Sequence, residues 1–245
     1  MEISFGGKRA LVSGASKGIG RAIALQLSKC GAKVIALGRN KDDLDSLKNE
    51  DQGIEIISVD LADWKNTRKT LENIGDVDIL VNNAGFNILE PMINVTEEHI
   101  DELFAVNYKS VINLTQIVTQ NLLKRKVGGS IVVLSSQASF KGIQDHAVYC
   151  STKAALDAFV KVCALELGPH NIRVNCVNPT VVLTELGRKG WSDSAKTHSM
   201  IAKIPLNRFA EVNEVVDAVL FLLSDKASMI TGTCLPVDGG CLAAL

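Results

Sequence analysis

Hydrophobic positions along the chain fall into short unbroken blocks, separated by longer stretches in which apolar residues recur every three or four positions. The blocks are RALVS (9–13), KVIAL (33–37), IEIISV (54–59), DILVNN (78–83), SIVVLS (130–135), IRVNCV (172–177) and TCLPV (233–237). Blocks of this length that do not alternate with polar residues are those of strands covered on both faces. The periodic stretches predict helices at 18–29, 41–48, near 63–73, from about 97 to 124, at 148–167 and at 211–224. Strand–helix alternation requires right-handed crossovers and a parallel sheet. The expected fold is α/β: one doubly wound domain over 1–245, with a seven-stranded, mainly parallel sheet and helices on both faces. The rhythm breaks only at about 184–205, where TELGRKGWSDSAKTHSM is polar and follows the sixth strand. It reads as an insertion beside the strand ends, the edge at which open α/β sheets bind ligands.

Charge narrows the partners. Lysine plus arginine number 26 against 27 acids, so the net charge is −1 and bulk charge draws neither nucleic acid nor an anionic membrane. No apolar run approaches the ~18 residues of a membrane span. The start, MEISFGGKRALVSG, lacks a basic region followed by an apolar one, which points to a cytoplasmic protein. Six cysteines without a Cys-x-x-Cys pair read as reduced, mostly buried thiols.

Candidate chemistry starts between the first strand and first helix. SGASKGIGRA places Gly14, Gly18 and Gly20, with Ser16, Lys17 and Ile19, where a tight turn lets backbone approach a pyrophosphate at a helix N-terminus. The spacing is G-x-x-x-G-x-G, and no Gly-Lys-Ser/Thr follows, so it is not a nucleoside-triphosphate loop. The position favours a Rossmann-type dinucleotide site over an ordinary glycine turn. Where an NAD site usually carries an acid, the second strand ends in Gly38, Arg39 and Asn40. Arg39 suits a 2′-phosphate, and Lys17 adds a second cation, so NADPH/NADP+ is expected over NAD. Asp60, with Leu61 beside it, is open to two readings: a partner for the adenine amino group or a helix N-cap.

VYCSTKAALDAFV carries Tyr149 and Lys153 four residues apart, on one face of an apolar helix. Free tyrosine has a pKa of about 10, and a nearby ammonium lowers it by stabilising the phenolate. The pair explains itself as a proton donor, Tyr149, tuned by Lys153.

GASKGIG, NNAG (82–85), Asn107, Ser136, YCSTK (149–153) and NPTVVLT (178–184) stand in the order and spacing of the short-chain dehydrogenase/reductases, which the chain resembles over essentially its whole length. CSTKAALD, ALELGPHNIRVN, FAEV and FLLSD are similar to the carbonyl reductases of that family that act on L-xylulose and α-dicarbonyls. The resemblance implies that Tyr149 protonates a carbonyl oxygen held also by Ser136, that Lys153 binds the nicotinamide ribose, and that Asn107 holds a water relaying protons to Lys153. It places Asn83, Ala84 and Gly85 along the adenine ribose, and Val182 and Thr184 at the carboxamide and phosphates. Gln137, Ile143, His146 and Trp191 are the candidate substrate walls, Trp191 as an aromatic able to close over the nicotinamide end. No residue pattern calls for a metal. Many relatives have Pro-Gly after the sixth strand; Pro179-Thr180 stands here and marks the subgroup. The expected activity is NADPH-dependent reduction of small ketones, L-xylulose to xylitol and α-dicarbonyls foremost, by a homotetramer. The competing expectations are a reductase of acyl-carrier-bound 3-ketones or steroids, and a non-catalytic dinucleotide sensor.

Overall fold

A computed structural model describes residues 3–191 and 193–244. Strands β1 (Arg9–Ser13), β2 (Lys33–Gly38), β3 (Glu55–Ser58), β4 (Ile79–Asn82), β5 (Gly129–Leu134), β6 (Ile172–Pro179) and β7 (Cys234–Val237) form a sheet in the order β3-β2-β1-β4-β5-β6-β7. All of its neighbouring pairs are parallel, with no antiparallel edge among the described residues. From β1 the chain winds outward to β3, then returns to β4 and winds the other way. The order therefore reverses between β1 and β4, and a crevice opens at their C-terminal ends.

The unbroken apolar blocks are explained by what covers them. Ala10 and Val12 of β1 pack with Ile23 and Leu27 of α1 (Gly18–Lys29) and with Val215 and Val219 of α9 (Val212–Leu223). Leu11, between them, faces the other way. It joins Leu114 and Val118 of α5 (Ser110–Arg125) and Leu156 and Val160 of α6 (Ala147–Leu167). Each strand thus feeds two cores by alternation, and apolar residues dominate both faces.

Local capping sets the helix starts around the crevice. The side chain of Asn40 accepts from Asp43 N at 3.0 Å and caps α2 (Lys41–Glu50). Asp63 caps α3 (Trp64–Thr70) by accepting from Asn66 N. The cap expected at Asp60 therefore lies three residues on, and Asp60 instead accepts from Ala62 N at 3.0 Å in the preceding turn. The long helix predicted near 97–124 is interrupted: α4 (Glu97–Phe104) passes through one π-helical turn, Ala105–Lys109, before α5. Such turns recur at functional sites, and this one carries the fully buried Asn107. The polar insertion folds as α7 (Glu185–Gly190) and α8 (Ser194–Ile201) over a small core of Ile204, Phe209 and Cys241. No helix among the described residues is long and apolar enough to cross a membrane.

Candidate active site

The crevice at the β1/β4 reversal is a cleft of about 980 Å³. Its floor is built from strand ends locked to each other. Ser13, at the end of β1, is buried, and its Oγ accepts from Asn83 N and Ala84 N at 3.0 and 3.1 Å. Asn83 answers with its side chain, Nδ2 donating to the carbonyls of Ser13 and Gly14 at 3.1 Å each. Gly14 has φ +63°, and a Cβ there would stand 2.8 Å from Ala84 Cα, so only glycine lets the loop lie against β4. Gly20 does not line the cleft; a side chain there would collide with Gly14 O and Asn83 Nδ2, so it is a packing glycine beneath the loop. The residue before α1, Lys17, supplies no side-chain cap, which leaves the first N–H groups of that helix facing the cleft beside Gly18 and Ile19.

At the β2 end the cleft is lined by Ser16, Lys17, Gly38, Arg39 and Asn40, with Asp60 and Leu61 beyond β3. The two expected cations differ. Lys17 Nζ is paired with Asp43 at 3.0 Å, a cleft residue that sequence reasoning missed. The Arg39 guanidinium is exposed and makes no ion pair among the described residues. The Asn40 side-chain oxygen is engaged in the cap of α2, which leaves its Nδ2 as the atom a phosphate could meet.

At the other end stand Tyr149 and Lys153, with Gly85, Phe86, Val106 and Leu134 around them. Lys153 is buried, and Nζ donates to Leu134 O at 2.8 Å and lies 5.6 Å from the centre of the Tyr149 ring. Burial depresses its pKa to about 8, against the pull of Cys176 and Asp157. The Tyr149 phenol moves the other way from the expectation. Burial raises it, and a hydrogen bond with the Ser136 hydroxyl offsets only part of that rise. Loss of water around the phenol is the larger effect. Ser136 lies just behind the cleft wall, its Oγ also accepting from Ala138 N at 3.1 Å.

Asn107 brackets the same end. Its Oδ1 accepts from Phe86 N at 3.0 Å, and its Nδ2 donates to Phe86 O at 2.9 Å and Thr152 Oγ1 at 3.3 Å. The side chain that Gly85 lacks would stand 3.2 Å from Asn107 Oδ1 and 3.6 Å from Lys153 Nζ, which defines a small gap between the two.

The substrate candidates separate. The His146 ring meets Tyr149 edge-on at 6.1 Å, and Ile143 is half-buried in the loop before α6. Gln137 is buried behind Ser136, and its Oε1 has no partner among the described residues. Trp191 does not line the cleft: it packs on Phe209, ring centres 5.2 Å apart, because the insertion needs a core of its own. Val182 likewise turns into the main core and bridges Ala210, whereas Thr184 lines the cleft and its Cγ2 would stand 3.4 Å from a side chain at Gly18. Missed in the sequence is Asn178, fully buried, whose Nδ2 donates to Ser136 O at 3.3 Å, Ser139 Oγ at 3.0 Å and Asp157 Oδ2 at 3.0 Å. An asparagine inside an apolar strand block was the available signal.

A family model described as enoyl-(acyl carrier protein) reductase matches residues 14–241. L-xylulose reductase of Bos taurus is 54% identical over 243 residues, covering 99% of this chain and 100% of that one. This chain belongs to the short-chain dehydrogenase/reductase family. As a short-chain dehydrogenase/reductase it is an oxidoreductase. D-erythrulose reductase of Gallus gallus is 53% identical over 243 residues, 99% of each chain. Among solved structures, a gluconate 5-dehydrogenase from Burkholderia cenocepacia in complex with NADP and tartrate superposes with a TM-score of 0.93. That structure is 28% identical, and the match covers 100% of this chain and 98% of that one.

Proposed function

We propose that this chain is an NADPH-dependent reductase of small polar ketones, L-xylulose and α-dicarbonyls foremost, working as one catalytic unit over 1–245, in the cytoplasm and as a homotetramer. The observation that carries the reading is a cleft with the Arg39 guanidinium, which makes no ion pair among the described residues, at one end and the Tyr149–Lys153 face at the other. The names of the Bos taurus and Gallus gallus relatives support a sugar ketone as substrate, and the NADP in the Burkholderia structure supports the cofactor.

The residues present fit a dinucleotide. Gly14 leaves the space a side chain would fill, and the uncapped start of α1 offers N–H groups to a pyrophosphate. Arg39 would take the 2′-phosphate, with Lys17 shared between it and Asp43. Asp60, Leu61, Asn83 and Ala84 would line the adenosine, and Thr184 the phosphates. Bound there, NADPH supplies the hydride for the carbonyl carbon.

The chain's own residues handle the proton. Ser136 and Tyr149 would both hydrogen-bond the carbonyl oxygen, since their hydroxyls already meet. The raised phenol stays protonated at neutral pH, so it is a loaded donor. Lys153 would hold the nicotinamide ribose and reload Tyr149, and Asn107 would seat the relaying water in the gap beside Gly85. His146 and Ile143 would form the substrate mouth, with Gln137 behind Ser136.

NADPH oxidation with a panel of ketones, by wild type and by Tyr149→Phe, tests this. The expectation is turnover of L-xylulose and α-dicarbonyls that the substitution abolishes. Preference for acyl-carrier-bound 3-ketones or steroids would replace the substrate, and NADPH binding without any turnover would leave a sensor.

A further inference from the structure

Three chemistry-bearing side chains that catalysis does not use converge where α6 crosses the last two strands. Cys176 of β6 and Cys234 of β7 are direct partners across the parallel ladder, and Asp157 of α6 lies over them. One carboxylate oxygen and the two sulfurs all lie within 4.8 Å of one another. Cys176 is 0% and Asp157 7% exposed, so the group is walled off, while Cys234 is half-buried on the edge strand of the sheet. Both thiols are free. Asp157 makes no ion pair among the described residues. It is held by Asn178 Nδ2, at 3.2 and 3.0 Å from its two oxygens, with the two thiols beside it.

We propose that Asp157, Cys176 and Cys234 form a binding site for a thiophilic divalent cation, Zn²⁺ in the first place, and that its occupancy slows catalysis. Two sulfurs and one carboxylate oxygen are a donor set for zinc rather than for magnesium or calcium, with the fourth position left to water. Zinc–sulfur and zinc–oxygen distances of about 2.3 and 2.0 Å put tetrahedral ligands roughly 3.5–3.8 Å apart, so thiol rotation closing about 1 Å completes the site. Two S–H bonds break and two Zn–S bonds form, and the two protons leave to solvent. The ion's two positive charges replace those protons, so the net charge of the buried site is unchanged and no new desolvated charge is created. Asn178 orients the carboxylate from behind, as outer partners of metal ligands do. Cys234 at the sheet edge is the way in.

The effect on catalysis runs through Asn178, which also holds Ser136 O and Ser139 Oγ. An ion that shifts Asp157 shifts Asn178 with it, and so disturbs the bracket positioning Ser136 against Tyr149. This consequence rests on the proposed reductase activity; the metal binding does not.

The test is equilibrium dialysis of the full chain against Zn²⁺ in a phosphine reductant, followed by Co²⁺ as a spectroscopic stand-in. The wild type is expected to retain one Zn²⁺ per chain and to show thiolate-to-cobalt charge transfer. Cys176→Ala with Cys234→Ser removes both. Cys234→Ser alone, at the half-buried position, keeps the fold and weakens binding by about tenfold or more. Zn²⁺ should slow NADPH-dependent turnover several-fold in the wild type, reversibly with chelator, and not in the cysteine variants. Zinc retention no greater than that of the double variant, or a cobalt spectrum without the thiolate band, overturns the site. Binding with the band but unslowed turnover overturns the coupling. A wild type without any turnover counts against the proposed function, and dialysis and spectrum still decide the site.

Discussion

Burial acts in opposite senses on the two ionisable groups of the α6 face, raising the Tyr149 phenol and lowering the Lys153 ammonium to about 8. Reduction consumes a proton, so a lysine that reloads the phenol must carry one. Turnover is therefore expected to hold below pH about 8 and to fall as pH rises through it, approaching tenfold per unit above. In Lys153→Arg the guanidinium stays charged, so the break near 8 should vanish even where turnover is lower. A wild-type profile without that break, measured at saturating NADPH, would remove Lys153 from the relay. The same shift has a stability signature. The unfolded lysine titrates near 10.5 and the folded one near 8, so between those values the unfolded state binds more protons and stability rises with pH. The raised tyrosine opposes this above about 10. Tyr149→Phe should cost about 10²–10⁴ in turnover while leaving the NADPH dissociation constant little changed, because the phenol acts on the carbonyl oxygen. An unchanged rate would take Tyr149 out of its role.

At the scale of elements, the end of β2 and the start of α2 divide two jobs between adjacent residues. Arg39→Ala should raise the NADPH Michaelis constant by about one to two orders of magnitude, since a charge-assisted hydrogen bond contributes about 1.5–3 kcal/mol. NADH kinetics should change little, and equal loss with both cofactors would misplace the phosphate site. Asn40→Ala should instead cost about 1 kcal/mol of stability through the lost cap, read as a lower thermal midpoint, with the NADPH constant nearly unmoved. An acid at Gly38, the usual NAD device, meets Ser16 Cβ at 3.2 Å and Leu44 Cδ2 at 3.3 Å, so cofactor preference is better reversed at position 39. These distinctions mark where the sequence stops being legible. The strands were readable because the middle of a doubly covered parallel strand is apolar on both faces, as Ala10–Val12 and Ile131–Leu134 are. Tyr149 and Lys153 were readable because four residues is one helical turn. The π-turn at Ala105–Lys109 was not, because inserting one residue into a helix changes its register and not its residue types. Nor did the sequence say which of Asp60 and Asp63, three residues apart, caps α3, since the side chains are the same and the backbone decides. Trp191 misled for a related reason: an aromatic in a polar segment looks like a lid until its partner Phe209, far along the chain, is known.

For the whole molecule, the proposed homotetramer draws its support from the outer surface rather than from the inner cleft. Val162 and Leu165 are 50% and 78% exposed, which is unusual for large aliphatic side chains on the helix that carries Tyr149 and Lys153. They lie about half a turn round α6 from the Tyr149–Lys153 face, so one helix turns one side to the cleft and the other, apolar, to solvent. Three positions apart, they make a patch that a second copy of the helix can cover. Homotetramer formation through that face is the reading this supports, and it would brace the catalytic helix from behind. Leu165→Glu combined with Val162→Asp should then shift sedimentation from tetramer toward smaller species while circular dichroism stays native, because side chains this exposed contribute little to the fold of one chain. Turnover per chain should drop with dilution in the variant before it does in the wild type, as an unbraced α6 loses the Ser136–Tyr149 contact. A wild type that sediments as a monomer, or a double variant that remains a tetramer, would place any assembly on another surface.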